Sequence, residues 1–140
     1  MQWSDSANAG FSSHDPWLPV PPSYTTHNVA TESKDPNSVL EFYRKVLSLR
    51  HTNTVLLEGN YSALNEDEAN VLSYLRSYKG KSLLVALNMS DSPQKTNFNL
   101  ANHGFPSATF KSLVATPGAD MKGPELTLPA FGVFIAEVSR

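Results

Sequence analysis

The chain has no cysteine, which excludes disulfides, thiolate metal sites and a cysteine nucleophile. With no signal for another compartment, the cytoplasm is the working expectation. No apolar run approaches the ~20 residues that cross a bilayer, so no membrane partner is expected. The N-terminus lacks a basic stretch followed by an apolar run, so no secretory signal is read there. Charge of one sign is not in excess either. Eleven Lys and Arg face 13 Asp and Glu, a net charge of -2, and no basic stripe offers itself to nucleic acid.

Motifs for chemistry are equally scarce. His14, His27, His51 and His103 never fall at i, i+3 or i, i+4, so no metal site and no cofactor is expected. No Gly-x-Ser-x-Gly elbow occurs. Gly80-Lys81-Ser82 ends like a phosphate-binding loop, but Leu75 stands where that loop needs a glycine. Asn65–Asn70, "NEDEAN", bunches three acids without the alternating oxygen ligands and central Gly of a calcium loop, and reads as a solvated turn. Asn60-Tyr61-Ser62 and Asn88-Met89-Ser90 match the glycosylation pattern, which arises often by chance.

What is present is a globular composition, 40% hydrophobic and 17% charged. At 140 residues, folding hides about two thirds of the unfolded surface, enough for a core without staples. Residues 1–34 have no period and carry two tryptophans in a Pro- and Ser-rich leader. Residues 35–52 read as one helix, with Asp35 as cap, Pro36 in the first turn, and Glu41 and Lys45 paired one turn apart. Val39, Leu40, Tyr43, Val46 and Leu47 fall on one stripe, widened by Phe42 and Leu49. Burying five such side chains is worth on the order of 8–15 kcal/mol before entropy, so the stripe calls for a large partner surface.

From Val55 the period shortens to two. Val55–Tyr61 reads as a short strand, and Lys79-Gly80-Lys81 supplies the turn of a hairpin between "ANVLSYLRSY" and "SLLVALNMS". The second arm is apolar on both faces, as in a central strand. Thr96, Phe98 and Leu100 share one side, and "ATFKSLVAT", "ELTLP" and "GVFIAEV" complete the series. The fold class expected is mainly β: an antiparallel Greek-key sandwich of about seven strands, preceded by a long loop and one α-helix.

Several phrases recur together in a known order. They are Met1-Gln2-Trp3, Asn8-Ala9-Gly10-Phe11, Pro16-Trp17-Leu18-Pro19-Val20, Asn28-Val29, Asp35-Pro36-Asn37-Ser38, Phe42-Tyr43-Arg44-Lys45 and Leu49-Arg50. In this order they resemble the α-glucosidases of glycoside hydrolase family 13, a group that includes oligo-1,6-glucosidases and trehalose-processing relatives. "NVLSYLRSYKGKSLLVALNMS" resembles the hairpin of that family's C-terminal domain.

The resemblance implies a (β/α)8 barrel followed by a small sandwich. Residues 1–53 would be the barrel's last loop and helix, and residues 54–140 the C-terminal domain. It also implies that the family's aspartate nucleophile, glutamate acid/base and second aspartate lie on earlier barrel strands, so no catalytic residue is assigned in this chain. The parent's substrates would be short α-glucosides. Gln2 and Trp3 would sit near its pocket mouth, either touching sugar or shaping the loop. The stripe of Val39, Leu40, Tyr43, Val46 and Leu47 would face the barrel. Without the barrel, that stripe is expected to fold back on the sandwich or to pair with a second copy. The alternative is an independent carbohydrate-binding module in which Trp3, Trp17 and Tyr24 stack on sugar rings.

Overall fold

The computed structural model describes residues Met1–Arg140. They form two compact units, Met1–Leu49 and Arg50–Arg140.

In the first unit the leader is irregular apart from two 3-10 turns, Ala7–Gly10 and Pro22–Thr25. Its start is nonetheless tied down. The Gln2 and Trp3 carbonyls accept from the N–H groups of Val29 and Ala30, each at 3.0 Å. Those donors open α1 (Val29–Glu32), a single turn capped by the buried Asn28. Asn28 Oδ1 accepts from Thr31 N–H at 2.9 Å, and its Nδ2 donates to the Tyr24 carbonyl at 2.8 Å.

The long helix α2 (Val39–Thr52) begins later than the sequence suggests. Asp35 spends its carboxylate on a turn, accepting from Asn37 N–H at 2.8 Å. Ser38 caps the helix instead: its Oγ accepts from Glu41 N–H at 3.1 Å and donates to the Glu32 carbonyl at 2.8 Å. The expected Glu41–Lys45 pair is replaced. Glu41 takes Arg44, and Lys45 Nζ reaches back 3.3 Å to the Pro36 carbonyl at the open helix start. No residue of α2 is buried; Val39, Tyr43 and Leu47 are exposed, while Leu40 and Val46 are half-buried.

The second unit opens with a correction. Residues 55–58, expected to open a strand, lie in the short helix α3 (Thr54–Glu58). A brief apolar run fits either structure, and the cap decides: Asn53 Oδ1 accepts from Val55 N–H at 3.0 Å. Strand follows only after Gly59. The strands are β1 (Asn60–Leu64), β2 (Val71–Tyr78), β3 (Lys81–Asn88), β4 (Gln94–Asn97), β5 (Thr109–Ala115), β6 (Asp120–Lys122), β7 (Glu125–Leu128) and β8 (Val133–Ser139). The strand beyond the expected seven is β6, three residues with only Met121 half-buried.

All pairings are antiparallel, in a five-stranded sheet ordered β1-β2-β3-β8-β5 and a three-stranded sheet ordered β4-β7-β6. The β2–β3 turn puts Lys79 at φ 47° and Gly80 at φ 79°, the left-handed pair that a two-residue hairpin needs. β3 is the central strand, and Leu83, Leu84, Val85 and Ala86 are all buried. The layer between the sheets includes Leu75, Leu84, Phe98, Leu100, Leu126, Leu128 and Phe134, with Leu64, Val71, Ala86, Ala136 and Val138 completing it.

The acidic turn joins the two sheets. Asn65 Nδ2 donates to Thr96 Oγ1 at 2.8 Å and to Glu68 Oε1 at 3.1 Å, and Thr96 Oγ1 donates to Glu68 Oε1 at 2.7 Å. Thr96 is buried on β4, so Glu68 clasps the small sheet to the β1–β2 turn of the large one.

Candidate functional site

Gln2 and Trp3 are held by an unusual backbone. Asn8, Ala9 and Gly10 all have positive φ, at 54°, 53° and 71°. Glycine suits the third position: a side chain at that φ is strained, and a Cβ there would lie 2.5 Å from Ser4 Oγ, which would have to turn away. The fully buried Ala9 turns its carbonyl inward to accept from Trp3 and Ser4 N–H at 2.8 and 3.2 Å. Asn8 Nδ2 donates to the His14 carbonyl at 3.1 Å, closing the loop beyond. The Trp3 backbone is thus fixed from both sides while its indole is half-exposed.

Trp17 is 92% exposed and Tyr24 half-buried. The close aromatic pair lies elsewhere, between Tyr61 and Tyr74 with centroids 5.1 Å apart. Burial pushes the Tyr74 phenol up, opposed by the nearby Arg76 and Arg50.

The carboxylates have structural work or face water. Glu32 accepts from Leu40 N–H at 3.2 Å, and Asp35, Glu41 and Glu68 are engaged as described. Glu125, Glu137 and Asp120 pair with Lys95, Lys111 and Lys122, and Asp91 accepts from Ser92 Oγ. Asp5, Asp15, Glu58, Glu66 and Asp67 are exposed. An open cleft of about 1140 Å³ in the second unit is lined by Lys79, Lys81, His103 and Arg140 with Glu137 as its acid. A single carboxylate there gives no acid and nucleophile pair. No group of three or more His, Asp or Glu gathers as a metal would require.

Asn88 is buried and bonded, its Nδ2 donating to the Pro129 and Ser92 carbonyls at 2.7 and 2.8 Å, so the second glycosylation pattern is a structural asparagine. Phe131, which periodicity does not single out, is 66% exposed at φ 52°. The turn signal around it, Pro129-Ala130-Phe131-Gly132, was the available clue.

Comparison with known proteins divides the chain later than the two compact units do, between residues 59 and 61. Residues 1–59 match the model of the alpha amylase catalytic domain, and residues 61–135 match that of the maltogenic amylase C-terminal domain. An oligo-1,6-glucosidase of Parageobacillus thermoglucosidasius is 38% identical over 74% of this chain and 18% of its own length. A probable alpha-glucosidase of Rhizobium meliloti is 33% identical over 99% of this chain and 24% of its own. The trehalulose synthase of Pseudomonas mesoacidophila MX-45 superposes with a TM-score of 0.86 at 35% identity, over 99% of this chain and 24% of that one. The trehalose-6-phosphate hydrolase of Bacillus licheniformis shares the fold, with a TM-score of 0.89 at 24% identity over 99% of this chain and 25% of that one. The chain therefore spans about a quarter or less of the length of these relatives. It belongs to glycoside hydrolase family 13, the α-amylase family, and carries that family's C-terminal β domain.

Proposed function

We propose that this chain supplies the end of the barrel and the C-terminal domain of an α-glucosidase that hydrolyses short α-linked oligosaccharides with retention, and that alone it has no turnover. Residues 1–53 are then the barrel's last loop and helix, and 54–140 the sandwich domain. The observation that carries the reading is the state of the carboxylates, each spent on a structural partner or exposed to water. Retaining hydrolysis needs two carboxyl groups about 5–5.5 Å apart across the glycosidic bond. In the whole enzyme Gln2 and Trp3 border the pocket mouth, and the stripe from Val39 to Leu47 packs on the barrel. Purified chain incubated with maltose, isomaltose or an aryl α-glucoside should release no glucose; steady release overturns the reading.

The exposure of Trp17 favours a second reading, a carbohydrate-binding module using Trp3, Trp17 and Tyr24. Titration with maltooligosaccharides should then change tryptophan fluorescence saturably, and a flat response removes this reading.

A further inference from the structure

Side chains alternate along each strand, so the large sheet has an inner and an outer face. Leu75, Leu84 and Phe134 point into the core between the sheets, and their neighbours in sequence point outward. The outward residues stand in register rows. One row is charged: Arg76, Leu83, Glu137 and Lys111. The next is Tyr74, Val85, Ile135 and Val114, and the last is Leu72, Leu87 and Val133; neither holds a charge. A side of an antiparallel sheet that faces water is ordinarily polar.

Part of this face is already covered. The helix α3 packs on β2 and β3, and Arg76 Nη2 reaches its Leu56 carbonyl at 3.3 Å. Val55 and Leu56 of α3 are buried, as are Leu83, Val85 and Ile135, and none of the five belongs to the core between the sheets. α3 lies within residues 1–59, the stretch that matches the catalytic domain. An element of that domain therefore sits on the outer side of the sheet.

The last row is left open. Leu72 is 45% exposed, and Leu87 and Val133 are half-buried. Met89 and Phe131, just beyond the same ends of β3 and β8, are exposed as well. Uncharged side chains aligned on three adjacent strands offer no hydrogen bond to a sugar or an anion and suit a dry apolar partner. The relatives carry about three quarters or more of their length outside the region that this chain matches.

We propose that Leu72, Leu87 and Val133 form a docking surface for the part of the catalytic barrel that precedes residue 1 in the whole enzyme. The existence of that barrel rests on the proposed function; the choice of face rests on the position of α3 and on the uncharged row.

The test compares hydroxyl-radical oxidation of side chains in the isolated chain and in the whole enzyme that contains it, read by mass spectrometry. Leu72 and Leu87 should be oxidised in the isolated chain and fall to the level of the core residue Leu84 in the whole enzyme, with Met121 on the other sheet unchanged. Equal oxidation of Leu72 in both, in an enzyme that turns over maltose, overturns the proposal and leaves the function standing. Protection of Leu72 in a whole protein without turnover supports the docking surface and overturns the function. Protection that is already present in the isolated chain and rises with its concentration makes the occupant a second copy and overturns the proposal. A source cell that holds only the 15.3 kDa chain overturns both. Leu72→Lys is the second check: the isolated chain should keep its melting temperature and the whole enzyme should lose stability. An unchanged melting temperature in the whole enzyme also overturns the proposal.

Discussion

Arg50 and Arg76 donate to the same acceptor: Arg50 Nη1 lies 3.1 Å and Arg76 Nη2 3.3 Å from the Leu56 carbonyl. That carbonyl belongs to the last turn of α3, where unpaired oxygens carry the negative end of the helix dipole. Arg76 also has a cost, because its Nε is buried without a hydrogen-bond partner.

Each arginine can therefore cover for the other. Arg76→Met should change stability by less than about 0.5 kcal/mol or raise it, since a buried orphan donor is removed. Removing both donors, with Arg50→Ala added, should cost about 1–2 kcal/mol more than the sum of the single changes. Urea unfolding of the four proteins measures the cycle, and simple additivity would show that the shared carbonyl is not what couples them.

Tyr74 gives the fold an alkaline limit. Burial raises its pKa above the ordinary 10.0, so the unfolded chain loses this proton first as the pH climbs. The folded state then binds more protons, and stability must fall as pH rises from about 10 through the folded value. Below that window Tyr74 contributes nothing to the pH dependence. Tyr74→Phe should match the parent protein near neutrality and lose less stability as the pH climbs above about 10. Equal losses in both proteins would assign the effect to other groups.

Gly59 links α3 to β1 in a space with no room for a side chain. A Cβ would fall 2.3 Å from the Val55 carbonyl oxygen and 3.1 Å from Ser77 N. Both are backbone atoms, so relief requires moving α3 or β2. Gly59→Ala should cost about 1–3 kcal/mol, read as a lower urea midpoint at unchanged slope.

The acidic turn should behave as a clasp rather than a cation site. Thr96→Val leaves Asn65 and Glu68 without their buried partner and should cost about 1–3 kcal/mol. Calcium or a chelator should leave the melting temperature where it was. A calcium-dependent rise would show that the carboxylates of Asn65–Asn70 gather around an ion.

Where local chemistry and packing agree, the sequence was enough. Lys79-Gly80 could only be a tight turn, and the arm apolar on both faces had to be central. Val55–Glu58 misled because a few apolar residues suit a helix or a strand, and the Asn53 cap outweighs the β-like texture that follows. β6 was silent because a three-residue edge strand buries almost nothing to impose a period. At the helix start, Asp35 and Ser38 are both good caps, and the choice depends on Glu32 accepting from Ser38 Oγ. The leader's three left-handed residues were foreshadowed by Asn8 and Gly10, but not by Ala9 between them. Phe131 was missed for a plainer reason: hydrophobic patterning assigns every phenylalanine to the inside.

The central claim is that this chain of the α-amylase family contains no reacting carboxylate pair. A retaining enzyme holds its sugar covalently on one of them, and an activated fluoroglucoside traps that ester. Intact-mass spectrometry of the 15.3 kDa chain after prolonged exposure to such a reagent is the most direct measurement. The account predicts an unchanged mass; a stoichiometric gain of one fluoroglucosyl group on an Asp or Glu would contradict it.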